Sequence, residues 1–244
     1  MSIVFTNCTY RYGRRYRPVL DDFSYRVPDG VTIFLGPNGA GKSTALKLAA
    51  SVIRPQTGRI GVDGVSSRSR EYRKHVAWMP QHITPMTGMT AREQVAYSGW
   101  LKGMNRSDAW EQSHTALATV DLLDKADAKA NSLSGGQLRR VGVASALVHE
   151  CRVLLLDEPT AGMDPTQRRA FRDVLSAVAE GEGVKVLMST HDVADLADDA
   201  DYVTVLSGGT IRFNGATHEF LAQAPPDVQE SRRAEGAYTA LTAL

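Results

Sequence analysis

A chain of 244 residues, 43% of them hydrophobic, has enough apolar material for one large domain or a domain with a lobe. Its 28 Lys and Arg stand against 27 Asp and Glu, so no global field draws it to nucleic acid or acidic lipid, and no nucleic-acid partner is expected. Cys8 and Cys151 lie far apart and outside any Cys-x-x-Cys pair, which argues against a disulfide framework and suits free thiols in a reducing compartment.

The first residues carry neither a charged leader nor a long apolar run, and no stretch approaches the roughly 18 apolar residues of a bilayer span. A cytoplasmic location follows as the expectation. Residues 2–10 and 23–27 are rich in β-branched and aromatic side chains and read as β structure. Between them, Arg11 to Pro18 is a loop with four arginines. Val31-Thr32-Ile33-Phe34-Leu35 is a continuous apolar run, as a buried strand requires. A glycine-rich loop follows it, then a helix from about Ser43 to Val52 that stops before Pro55.

From 88 to 150 the pattern is helical. Thr90 and Glu93 form a capping-box signature, and Leu138, Val141, Ala144, Leu147 and Val148 recur at helical spacing. Apolar runs at 153–156, 184–188 and 202–206, separated by polar periodic segments, suit a largely parallel sheet. Ser207-Gly208-Gly209 marks a turn before Ile211-Arg212-Phe213, so the last pair reads as a hairpin. The expected class is α/β: a core with a mainly parallel sheet, an N-terminal antiparallel β part and an inserted helical lobe. The core spans 1–87 and 151–222, the lobe 88–150, and a short tail 223–244.

Three segments carry chemistry. Gly36-Pro37-Asn38-Gly39-Ala40-Gly41-Lys42-Ser43-Thr44 matches Gly-x4-Gly-Lys-Ser between a strand and a helix, the context a phosphate-binding loop needs, so the α/β core is expected to be that of a P-loop NTPase. Glycines such as Gly36, Gly39 and Gly41 let backbone approach phosphates, with Asn38, Ala40 and Thr44 completing the loop and the helix N-terminus adding positive charge. Lys42 reaches toward the β- and γ-phosphates, and the Ser43 hydroxyl suits Mg²⁺. Asp157 and Glu158 end an apolar strand; the first suits Mg²⁺ and the second a general base. Ser134-Gly135-Gly136-Gln137 opens a second amphipathic helix, whose free N–H groups and hydroxyl make it another anion-grasping start or, more blandly, an N-cap with a flexible entry.

The loop Gly36–Thr44, Leu133-Ser134-Gly135-Gly136-Gln137 and Val153-Leu154-Leu155-Leu156-Asp157-Glu158-Pro159 together resemble the ATP-binding cassette (ABC) family, over about residues 2–222. That resemblance implies an ATPase using ATP and Mg²⁺. It assigns Gln81, 39 residues after Lys42, to Mg²⁺ and the attacking water, and His191 to the γ-phosphate. Asp164 matches the D-loop, and Tyr12 resembles the aromatic that stacks on adenine, with Tyr10 and Tyr16 as competitors. Ser134 to Gln137 would face the ATP of a second cassette, giving composite sites in a homodimer or heterodimer.

A single cassette resembles the ATPase subunit of a bacterial transporter, bound through an integral membrane permease to the inner face of the membrane. A soluble ABC ATPase acting on a cytosolic assembly, a non-catalytic nucleotide-binding regulator and the ATPase subunit of an importer are the competing readings. Gln137-Leu138-Arg139-Arg140 and Ser98-Gly99-Trp100-Leu101-Lys102-Gly103-Met104 resemble the drug, antibiotic and lantibiotic exporter group. All three tryptophans and four methionines fall within 78–110, as either a groove for a short permease helix or the core of a small lobe.

Overall fold

In the computed structural model, which describes residues 2–193 and 200–243, the apolar runs become strands of two sheets. The first half of the chain forms β1 (Ile3–Tyr10), β2 (Leu20–Arg26), β3 (Val31–Leu35), α1 (Lys42–Ala49), β4 (Thr57–Val62) and β5 (Val65–Ser66). It continues with α2 (Arg70–His75), β6 (Val76–Met79) and the helices α3 (Ala91–Leu101), α4 (Arg106–Thr119) and α5 (Gly135–Leu147). Then come β7 (Val153–Asp157), α6 (Pro165–Glu182), β8 (Lys185–Thr190), β9 (Tyr202–Ser207), β10 (Thr210–Ala216), α7 (Thr217–Leu221) and α8 (Arg233–Thr242).

The smaller sheet, ordered β2-β1-β4-β5, is antiparallel throughout. The larger runs β10-β9-β3-β8-β7-β6 and is parallel except for the terminal β9–β10 hairpin. β3 lies between β8 and β9 and is buried along its whole length, which is why its sequence is apolar without alternation. Its side chains nevertheless divide with the period of two: Val31, Ile33 and Leu35 enter one hydrophobic core, and Phe34 enters the other. β7 does the same, with Leu154 and Leu156 on one side and Val153 and Leu155 on the other. The Phe34 side is closed by the antiparallel sheet and α1, the opposite side by the helical lobe and α6.

The lobe is built as its caps direct. Thr90 Oγ1 accepts from Glu93 N at 3.1 Å while Glu93 Oε2 accepts from Thr90 N at 2.6 Å, and Asn105 caps α4. Val95, Leu117, Val141 and Ala144 then share one core with Ala77, Met79 and Leu156 of the sheet.

Several boundaries differ from the sequence reading. α1 ends at Ala49 rather than near Val52, because Ser51 turns left-handed at φ 61°. β2 starts at Leu20, three residues early, where Leu20 pairs with Tyr10. β4, β5 and β6 have no counterpart in that reading. β4 contains two glycines and buries only Ile60 and Val62, so its pairing with β1 decides its state. Beyond 222 the chain folds back: α8 packs on α7 and the β9–β10 hairpin, with Ala224 and Ala237 buried. Among the described residues no helix is long and apolar enough to cross a membrane.

Candidate functional site

The phosphate loop joins β3 to α1, at the carboxyl end of the parallel strands. Gly36 is required by packing: a β-carbon there would lie 2.2 Å from Leu206 O. Gly41, the residue before α1, takes φ 107°, a region open to glycine. Asn38 and Gly39 are exposed at the loop tip. Ala40 is instead buried in the core, and its carbonyl accepts from Gly209 N at 3.0 Å. Lys42 is buried, with its ammonium donating to Gly36 O at 2.6 Å and Pro37 O at 3.1 Å. Burial pushes that ammonium below the usual lysine range, while the charges of Glu158 and Asp157 hold it up.

Asp157 ends β7 and is 3% exposed. Its Oδ1 accepts from Ser43 Oγ at 2.8 Å and from Ser189 Oγ at 2.9 Å. The Ser43 and Asp157 oxygens are hard donors meeting at one point, a set that suits Mg²⁺, which binds through few protein oxygens together with phosphate oxygens and water. Glu158 follows with φ 47°, an unfavourable conformation for a non-glycine residue, costing about 1–3 kcal/mol. Its amide donates to Ser189 O and Ser189 Oγ, which fixes that turn. The carboxylate projects between two side chains: Gln81 Nε2 donates to Oε2 at 3.1 Å, and His191 Nδ1 lies 3.4 Å from Oε1. Lys42, Ser43, Gln81, Asp157, Glu158 and His191, drawn from four separate stretches of chain, thus converge.

Ser189 was not singled out by sequence. It stands two residues before His191 at the end of β8 and binds both acids' positions, a role only tertiary pairing of β7 with β8 discloses. Tyr12 is 58% exposed and its hydroxyl lies 3.1 Å from Thr44 Oγ1, beside the start of α1. Tyr10 meets Tyr12 edge-on at 5.1 Å, whereas Tyr16 packs near Gly13. Of the three tyrosines, Tyr12 presents its ring beside the loop.

Ser134 caps α5: Ser134 Oγ accepts from Gln137 N at 3.2 Å and Gln137 Oε1 from Ser134 N at 2.9 Å. Gly135 faces open space, whereas a β-carbon on Gly136 would touch the Gln167 side chain, near the start of α6, at 3.6 Å. Asp164 caps α6 through Gln167 N at 2.9 Å. Among the described residues, Ser134, Gly135, Gly136 and Gln137 make no hydrogen bond to the phosphate loop, so this second helix start is not part of the same constellation within one chain.

The Trp and Met cluster of 78–110 is not one surface. Met79 is core. Trp78 lines a groove of about 510 Å³ between sheet and lobe, together with Val52, Ser98, Lys102, Ser145 and His149. Trp100 and Trp110, both nearly half exposed, line a separate cleft on the opposite side of α3 with Met89 and Tyr97. In the groove, burial and then the Lys102 charge push His149 down to about 3. Neither ring nitrogen of His149 has a hydrogen-bond partner, nor has Trp78 Nε1 or Ser145 Oγ.

A family model described as "ABC transporter" matches residues 20–161, more than half of the chain. The chain belongs to the ABC transporter family. The energy-coupling factor transporter ATP-binding protein EcfA2 of Symbiobacterium thermophilum is 38% identical over 237 residues, covering 91% of this chain and 81% of that one. ATP-binding cassette sub-family A member 17 of Mus musculus is 35% identical over 216 residues, covering 86% of this chain but 12% of that protein. The Fe(3+) ions import ATP-binding protein FbpC of Escherichia coli O157:H7 is 33% identical over 220 residues, covering 89% and 62%. Among solved structures, cbiO1 from Clostridium perfringens, part of a cbiONQ ABC transporter complex, superposes with TM-score 0.79 at 26% identity, covering 90% of each chain. The cassette therefore has the ABC ATPase fold, antiparallel sheet and helical part included, and is an ATP-hydrolysing domain. Relatives named for import stand among those it resembles, so the similarity supports a transporter ATPase and does not single out the exporter group over the importer alternative.

Proposed function

We propose that this cassette powers a membrane transporter by hydrolysing Mg²⁺-bound ATP at Lys42, Ser43, Asp157 and Glu158, with Gln81 and His191 completing the site. The observation that carries it is the Glu158 carboxylate held between Gln81 and His191 beside the phosphate loop. Lys42 and the α1 N-terminus stabilise the triphosphate, and Tyr12 offers its exposed ring to the base. Mg²⁺ held by Ser43 and Asp157 would neutralise charge on the phosphates. Gln81 Nε2 and the Glu158 oxygens orient the attacking water, and a Glu158 oxygen takes its proton. His191 offers its ring beside Glu158 for a contact to the γ-phosphate.

Ser134 to Gln137 present an open helix start away from this loop, an arrangement that supports a second cassette, identical or paralogous, using it to close on ATP. The Trp78–His149 groove supports docking of a short segment of an integral membrane permease, which would hold the cassette at the cytoplasmic face. Export is the direction favoured by Gln137-Leu138-Arg139-Arg140 and by 98–104.

Co-expression with its cognate permease tests this reading. The cassette should fractionate with membranes only when the permease is present, and Trp78→Ala should weaken that association while leaving ATP binding intact. Equal fractionation with and without the permease would refute the transporter assignment. Substrate accumulation in inverted vesicles would support export; loss from them would refute it.

A further inference from the structure

Next to that groove lies a concavity of different character. The segment after α1, the first half of β4 and the β5–α2 junction shape an open surface concavity of about 300 Å³, lined by the exposed Arg54, Arg59, Arg68 and Arg73 with Ser66 and Ser67. No carboxylate lines it. None of the four arginines has an ion-pair partner among the described residues, and Glu71, the acid of neighbouring α2, is taken by Lys74 and His75. One hydrogen bond, Arg73 Nη1 to Arg68 O at 3.4 Å, links two of them through the backbone.

This concentration is not spill-over from a basic protein, since the whole chain carries a net charge of +1. Four like charges facing one small space repel one another, and an anion between them reverses the sign of that interaction. Guanidinium groups present planar paired donors that match phosphate oxygens, and serine hydroxyls can add to them. The strand geometry fixes part of the set: Ile60 is buried in the core, so its neighbour Arg59 points to the other face.

We propose that this pocket binds a phosphate-bearing anion, at a site separate from the phosphate loop. It shares no lining residue with Gly36–Thr44. It does share a stretch of chain with the groove: Ser51, Ile53 and Arg54 line the pocket, while Ala50 and Val52 line the groove. An occupant therefore sits one side chain away from the groove wall. A lipid headgroup and a soluble phosphate compound offer the same chemistry.

The test uses the full chain saturated with ADP and Mg²⁺, so that the phosphate loop is filled. Inorganic pyrophosphate is titrated while the amides of Arg59, Ser66 and Ser67 are followed by NMR. In parallel, the protein is sedimented with phosphatidylglycerol vesicles and with phosphatidylcholine vesicles. Arg59→Gln with Arg68→Gln should weaken the response at least tenfold and leave ATP hydrolysis unchanged. Arg14→Gln with Arg15→Gln, which removes equal charge from another loop, should leave the response intact.

Selective binding to phosphatidylglycerol, lost only in the pocket variant, assigns a headgroup; a pyrophosphate response without vesicle binding assigns a soluble phosphate compound. Equal loss in both double variants, shifts confined to 36–44, or no response to either probe overturns the proposal. Arg54→Gln with Arg73→Gln, taken from a loop and a helix, repeats the measurement should the first pair fail to fold.

Discussion

Replacing Glu158 with glutamine keeps the side chain's shape and removes its basicity. In the present geometry one carboxylate oxygen accepts from Gln81 at 3.1 Å and the other faces His191 at 3.4 Å. An amide can accept at only one of those positions and turns an N–H toward the other neighbour. The proton of the attacking water then has no acceptor of comparable strength. General-base catalysis is worth about 10²–10⁴ in rate, equivalent to about 2.7–5.4 kcal/mol of barrier at 1.36 kcal/mol per decade. Lys42 and Ser43 keep their contacts, so ATP binding should survive. Loss of a negative charge beside the triphosphate should further favour the ATP-bound dimer. Phosphate release and light scattering, measured together with ATP and Mg²⁺, should show turnover falling by two to four decades while dimer accumulates. Turnover within threefold of wild type would show that another group activates the water.

Lys42→Ala should abolish ATP binding or turnover, since it removes the buried ammonium from the loop; a fluorescent-nucleotide titration with parallel phosphate release checks it. Ser134→Ala should leave nucleotide binding by the monomer unchanged yet lower hydrolysis at least tenfold, and equal loss of both would count against a partner-facing role. The third concerns pH. His149 titrates near 3 when folded against 6.5 when unfolded, so the unfolded chain takes up the proton first as pH falls. No contribution arises well above pH 6.5; at pH 5.5 the folded state loses about 1.4 kcal/mol through this group alone. Urea unfolding at pH 7.5 and 5.5 should show His149→Leu losing about that much less than wild type, and identical losses would refute the buried neutral imidazole.

The parallel sheet was legible because each of its central strands is a continuous apolar run whose sequence needs no partner to declare itself, as in 153–156. β4 was not, because Thr57-Gly58-Arg59-Ile60-Gly61-Val62 has weak intrinsic strand preference and takes its state from β1. At the site, residue types with narrow chemical uses were visible in order along the chain. Ser189 was invisible because a serine at a strand end carries no such restriction; its meaning lies in the Asp157 oxygen across the sheet. The aromatic cluster misled in a different way. Nearness in sequence along α3 placed Trp100 and the groove-lining Ser98 on opposite sides of one helix, which spacing separates only once the helix is oriented.

The lobe's shared core bears on how far this architecture can be recombined. In sequence, 88–150 is an insertion whose ends could be cut and rejoined. In space, Val95, Leu117 and Val141 complete the same interior as Met79 and Leu156. A lobe transplanted from a relative would arrive with a foreign mould for those two strands, leaving voids or clashes at the joint, where losing even one buried leucine side chain costs about 2–5 kcal/mol. Chimeras should therefore tolerate exchanged α3–α4 exteriors far better than exchanged lobes, unless residues of β6 and β7 travel with them.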